Sequence, residues 1–122
     1  MSDKLDVVGI GNAMVDAIIP SNQSEIEKHE INRDSMNLID ENLKNNLHES
    51  YSIREMAGGG SLGNSMFGIT SFGGNGSFIG KIKNDEVGIF LQKDMVREGL
   101  QFPLGFTSPD ISTGCCTIFV EE

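Results

Sequence analysis

An α/β fold built on a mainly parallel sheet is predicted by three features of this chain. Short β-branched runs alternate with helical stripes, the order that builds βαβ units. Glycine is nearly twice as common as usual, at 15 of 122 residues. The glycines gather at residues 9–11 and 58–88, between the regular elements, where turns form and ligands approach the backbone.

Residues 5–10, LDVVGI, read as a strand in a sheet covered on both faces. Gly11 and Asn12 interrupt it, residues 13–19 continue in extended style, and Pro20 closes that run. Residues 21–30 are polar with few apolar positions, Ile26 among them, and suit a short surface helix. Residues 35–39, SMNLI, alternate as a half-buried strand does. Asp40 is a good cap for a helix over 41–49, where Leu43 and Leu47 stand at i,i+4. Residues 52–57 lead into Gly58-Gly59-Gly60. A helix over 61–72 follows, with Leu62, Met66, Ile69 and Phe72 on one stripe and Gly73-Gly74 to stop it. Residues 77–82 suit a strand. The clearest helix is 85–98: Val87, Phe90, Leu91 and Met95 form its stripe, Asp85 and Glu86 load its first turn, and Gly99 ends it. Residues 113–120 read as a last strand.

The length suits one compact domain. A formal net charge of −9 argues against nucleic acid or an anionic membrane as partner, since both need clustered positive charge. No apolar run reaches the roughly 20 residues that span a bilayer. The first 20 residues make a poor secretory signal. Cys115 and Cys116 are adjacent and on a strand would point to opposite faces, so reduced thiols and a cytoplasmic setting are expected.

GIGNAMVD, residues 9–16, falls short of the dinucleotide fingerprint. Met14 holds the third glycine position, and a strand rather than a helix follows. A pyrophosphate has no ready helix N-terminus there, which leaves an oxidoreductase fragment as a weak rival. Asp16 lies between Val15 and Ala17. A carboxylate in such a stretch needs partners. Two sugar hydroxyls would supply them, and an exposed strand-end Asp is the plain alternative. In residues 57–74, three glycines open a helix that also contains Gly63 and Gly68, each costing about 1 kcal/mol relative to Ala. Either this helix packs closely or a ligand lies against its backbone. The amides of Gly59 and Gly60, with the Asn64 side chain one turn in, would suit a polyhydroxylated ligand; tight helix–sheet packing explains the same glycines. Lys81 could face a phosphate, though a solvated lysine is commoner. His29 and His48 sit on polar helical stretches and read as solvated surface residues rather than as a catalytic base.

Taken in order, these pieces resemble the ribokinase-like (PfkB) family of carbohydrate and nucleoside kinases over nearly the whole chain. GNAMVD at 11–16 resembles the family's first-strand signature, whose Asp binds sugar hydroxyls. GGSLGN at 59–64 resembles its Gly-Gly-x-x-x-Asn signature opening a helix. The pair at 73–74, FIGKIKNDEVG at 78–88, REGL at 97–100 and STGCCTIFVEE at 112–122 resemble the segments that follow. Asn12 and SMNLID at 35–40 are most similar to the adenosine-kinase-like branch. Leu62 and Met66 depart from the small residues usual in the family, and Lys83 replaces a common Gly.

The resemblance implies a three-layer α/β/α sandwich with a mainly parallel sheet and a small β lid. Residues 1–122 would be the N-terminal acceptor-binding part of one kinase domain, with lid strands near 13–19, 35–39 and 113–120. It implies transfer of the γ-phosphoryl group of ATP to a hydroxyl of a sugar or ribonucleoside, by positioning and charge stabilisation. Asn12, Asp16, Gly59, Gly60 and Asn64 would hold the acceptor. The family's catalytic Asp in Gly-Ala-Gly-Asp, its nucleotide pocket and its Mg2+-associated Asn-x-x-Glu segment are expected downstream of these residues, and no Gly-Ala-Gly-Asp occurs in this sequence. The chain is therefore expected to carry no catalytic residue and no metal ligand, and to be an inactive fragment of a parent that uses ATP and Mg2+. A non-catalytic sugar- or nucleoside-binding module is the alternative. Half of a covered sheet leaves an open edge, so a homodimer through that edge or through the lid is a further expectation.

Overall fold

The computed structural model describes residues 4–122. Its elements run β1 (Val7–Ile10), β2 (Met14–Ser21), α1 (Gln23–Lys28), α2 (Glu41–Ser50), β3 (Glu55–Gly59), α3 (Ser61–Ser71), β4 (Gly76–Ile79), α4 (Glu86–Arg97) and β5 (Gly114–Glu121). β1 and β4 form a parallel pair, and β3-β2-β5 is the strand order of a second sheet. The predicted α/β class with parallel pairing is present. The chain divides into two compact units. One comprises the chain through Asp16 together with Ala57–Cys116, the other Ala17–Met56 and Thr117–Glu122.

In the first unit β1 and β4 run in register from Val7 opposite Gly76 to Ile10 opposite Ile79. Isolated parallel bridges join Ser77 to Gln101 and Ile82 to Phe106. The Gln101 carbonyl accepts from Phe78 N–H at 2.8 Å, and Gln101 N–H donates to Gly76 at 3.0 Å. Burial of Met66, Phe78, Ile82, Leu91, Met95 and Leu100 forms the core. The α4 stripe is buried at Val87, Leu91 and Met95, as its spacing predicts. In α3 the stripe breaks at its end. The helix stops at Ser71, and Phe72, the cap residue, is 94% exposed.

Among the described residues α3 lies over the β1 face that carries Gly9, while Val8 and Ile10, on the other face, are 50% and 75% exposed. At the start of α4 the Asp85 carboxylate caps the helix through Gly88 N–H at 2.8 Å. The same carboxylate accepts the Thr113 N–H at 3.0 Å and its hydroxyl at 2.8 Å. Lys83 N–H donates to Thr113 Oγ1 at 2.9 Å, which ties this turn to the entry of β5.

In the second unit the helices begin on side-chain caps. Asn22 and Glu25 form a reciprocal capping box on α1, and Asp40 accepts from Leu43 N–H at 2.8 Å on α2. Ala17, Ile19, Ile26 and Leu47 are buried. Beside them Tyr51 and Phe119 meet edge to face with centroids 5.4 Å apart. His29 stacks near Phe119, and its Nε2 is 2.7 Å from the Tyr51 hydroxyl. Arg33 pairs with Glu121, and Arg54 with Glu122. These pairs are well exposed and contribute little.

Three sequence expectations change here. Residues 35–39 form no strand, so the lid strand expected there is not present. Local side-chain bonds take the place of a ladder: Asn37 Oδ1 accepts from Asn32 N–H at 3.3 Å, and Asn37 Nδ2 donates back to the Asn32 carbonyl at 3.1 Å. Met36 and Leu38 are left 83% and 91% exposed. The third strand of that sheet is instead β3, EMAGG, which lacks β-branched residues and is held by pairing rather than propensity. The third change concerns β2, which runs through Pro20 to Ser21 instead of closing at the proline.

Candidate functional site at the glycine bend

Asp16 owes its position to the alternation of β2. Val15 and Ala17 are buried, and Asp16 takes the less buried face. There its carboxylate lies against the backbone of Gly59. A Cβ built on Gly59 would stand 2.5 Å from Asp16 Oδ2 and 2.7 Å from Oδ1, so only glycine admits the carboxylate at this distance. Among the described residues, no hydrogen bond or ion pair from a side chain or backbone engages that carboxylate.

Gly60 follows with φ +81°, a left-handed conformation that favours glycine, and starts α3. Its carbonyl accepts from Asn64 N–H at 2.9 Å, the first bond of the helix. No side chain caps this helix, so its first-turn amides have no capping acceptor. A Cβ on Gly60 would lie 3.3 Å from the Met14 side chain and 3.8 Å from the Asn12 carbonyl oxygen. The structure thus brings together Asp16, Gly59, Gly60 and the backbone of Asn12. The side chains of Asn12 and Asn64 are exposed, the latter one turn into α3. A lone acceptor carboxylate beside uncapped N–H donors is complementary to vicinal hydroxyls, each of which both donates and accepts.

Two neighbours of this cluster were not singled out as site residues from the sequence. Asp94 is buried on α4; its Oδ2 accepts from Gly58 N–H at 3.1 Å, and its other oxygen pairs with Arg97. The available signal was its place between Leu91 and Met95, on the buried stripe of a helix, where a carboxylate needs a partner. Cys116 is the second. Burial, and then the Asp16 carboxylate, push its thiol up from the ordinary range.

The first glycine motif has a different role. A Cβ on Gly9 would meet Met66 Sδ at 2.9 Å, and one on Gly11 would meet Leu62 Cδ2 at 2.6 Å. These glycines make room for the Leu62 and Met66 side chains of α3. At Gly63 and Gly68 no atom outside the helix's own backbone lies within 4 Å of a built Cβ, so close approach of another element does not explain them. His29 and His48 are not free surface histidines, as the sequence suggested. Both are half-buried, and His48 Nε2 lies 2.8 Å from Thr117 Oγ1. Lys81 is exposed beside an open cleft of 200 Å³ in the 107–112 loop. A second cleft, of 560 Å³, is lined by Lys83, Asn84 and residues 106–109. Neither cleft includes a residue of the Asp16 cluster. Among the described residues no three His, Cys, Asp or Glu side chains gather to hold a metal ion, and no helix is long and apolar enough to cross a membrane.

No protein-family model and no curated protein matches this chain. Solved structures do. The adenosine kinase from Sinorhizobium meliloti is 34% identical and superposes with a TM-score of 0.79 over 98% of the chain. The chain has the N-terminal part of the PfkB/ribokinase-like fold, in its adenosine-kinase-like form. A "probable sugar kinase" from Rhizobium etli is 30% identical over 97% of the chain, with a TM-score of 0.75. The adenosine kinase of Schistosoma mansoni in complex with adenosine, at 20% identity and a TM-score of 0.76 over 96%, adds agreement of fold alone. This ribokinase-like chain spans 36% of the length of each of the three.

Proposed function

We propose that this chain is the acceptor-binding part of a PfkB-family kinase that transfers the γ-phosphoryl group of ATP to a hydroxyl of a ribonucleoside or sugar. Adenosine is the first acceptor to test, because a 34%-identical neighbour is an adenosine kinase. The observation that carries the reading is the Asp16 carboxylate, set against Gly59 at the head of α3 without a protein partner. In this reading Asp16 accepts hydrogen bonds from two ribose hydroxyls, and the amides after Gly60 donate to their oxygens. Asn12 and Asn64 complete the ring of polar groups. Charge-assisted bonds to a carboxylate are worth about 1.5–3 kcal/mol each, enough for two of them to dominate selection of a vicinal diol.

In this reading ATP and Mg2+ are held by the remaining part of the parent kinase. The described residues offer no carboxylate cluster for the ion, and the sequence holds no Gly-Ala-Gly-Asp segment. No chemical step is therefore assigned to this chain, whose part is to bind and orient the acceptor. The sheet β3-β2-β5 is read as the small lid, and the setting as cytoplasmic. The test has two arms. Calorimetric titration of the chain with adenosine, ribose and 2′,3′-dideoxyadenosine should show binding of the diols and none of the dideoxy compound. Joined to the remaining length of the Sinorhizobium neighbour, the chain should phosphorylate adenosine with ATP. A folded fusion that turns over none of adenosine, ribose or fructose overturns the proposal.

A further inference from the structure

We infer that Asp94 is a positioning residue for the glycine bend, acting through Gly58 on the Gly59–Gly60 turn that faces Asp16; its bearing on ligand affinity rests on the acceptor-site reading above. Asp94 is 7% exposed on α4, between the buried Leu91 and Met95. Removing a carboxylate from water is costly, and the helix gains nothing from one at that position. One oxygen holds Arg97, and the other accepts the Gly58 N–H at 3.1 Å. Gly58 lies at the end of β3, an edge strand of its sheet. On that edge the Gly58 N–H meets the Asp94 carboxylate of α4. The fit at Gly58 is close: a Cβ there would stand 2.7 Å from Phe67 Cε2 and 3.0 Å from Asp94 Oδ2. Gly58 is thus clasped between α3 and α4 one residue before the backbone that carries the Asp16 contact. Asp94 itself meets no predicted acceptor contact, so its effect on the site passes through the main chain.

The experiment is amide hydrogen exchange, read residue by residue on the whole chain, for Asp94→Ala, Asp94→Asn and Arg97→Ala. Loss of a charge-assisted bond should accelerate exchange at Gly59 and Gly60 by about tenfold in Asp94→Ala, with the β1–β4 amides unchanged. Asp94→Asn keeps an acceptor oxygen and should restore most of the protection. Arg97→Ala, which removes only the exposed ion-pair partner, should leave Gly59 and Gly60 near wild type. Acceleration confined to Gly58, or none at all, overturns the proposal; so does an Asp94→Asn variant as fast as Asp94→Ala. Adenosine titration of the same variants separates the two ideas. If wild type binds, Asp94→Ala should bind about tenfold more weakly and Asp94→Asn close to normally. If wild type does not bind, the acceptor-site reading fails while the exchange data still decide the role of Asp94.

Discussion

The two glycine motifs of this chain look alike in sequence and differ in what they face. Gly9 and Gly11 lie beneath α3 and leave room for Met66 and Leu62. Gly59 leaves room for the Asp16 carboxylate, and Gly58 for the Phe67 ring together with the Asp94 carboxylate. A missing Cβ accommodates an apolar side chain at one motif and brings charge against the backbone at the other. The first arrangement stabilises a helix on a strand. The second holds an acceptor carboxylate beside uncapped amides, at some cost in stability. The chemistry of the neighbour, not the glycine, separates packing from a site.

Substitutions on the two sides test that contrast, the largest effect first. Asp16→Ala should weaken adenosine about a hundredfold or more in calorimetry, because two charge-assisted bonds are lost. Its thermal midpoint should hold or rise, since a half-buried carboxylate without a protein partner is removed. A large loss of stability with intact affinity would break the contrast. Gly9→Ala should do the reverse. Overpacking against Met66 and Leu62 should cost about 1–3 kcal/mol in denaturant unfolding and leave affinity unchanged. Gly60→Ala should cost about 1–2 kcal/mol, from the positive φ it forces on a residue with a Cβ.

The smallest effect concerns Cys116, read in a Cys115→Ser background. Partial burial and the Asp16 carboxylate raise the pKa of this exposed thiol, which lowers its thiolate fraction relative to a free cysteine. Alkylation at pH 8 should therefore be slower than for a free thiol, and Asp16→Asn should speed it. The same shift sets a sign for stability. A raised native pKa helps folding below the unfolded value, and that help is lost as pH climbs through the native one. An Asp16→Asn rate equal to wild type would show that the carboxylate does not reach Cys116.

Much of the fold was legible because it rests on neighbours in the chain. Asp40 caps its helix as read, and the stripe through Val87, Leu91 and Met95 is buried. Residues 35–39 were misread because alternation promises a strand only if a partner strand arrives, and Asn37 satisfies the backbone locally instead. β3 was missed for the opposite reason: EMAGG has no strand signal of its own and takes its shape from β2. At the site, Asp16, Gly59 and Gly60 were legible as a set through family resemblance. Asp94 was not, since only the approach of α4 to Gly58 gives its carboxylate a purpose.

Helix starts and helix stops follow from this amino-acid order, because caps and periodicity act over a few residues. The assignment of each glycine to packing or to the site does not follow from it. That depends on which side chain lies within 3 Å of the absent Cβ. Asp16 and Gly59, or Gly9 and Met66, are distant in the chain and become neighbours only when strands and helices assemble.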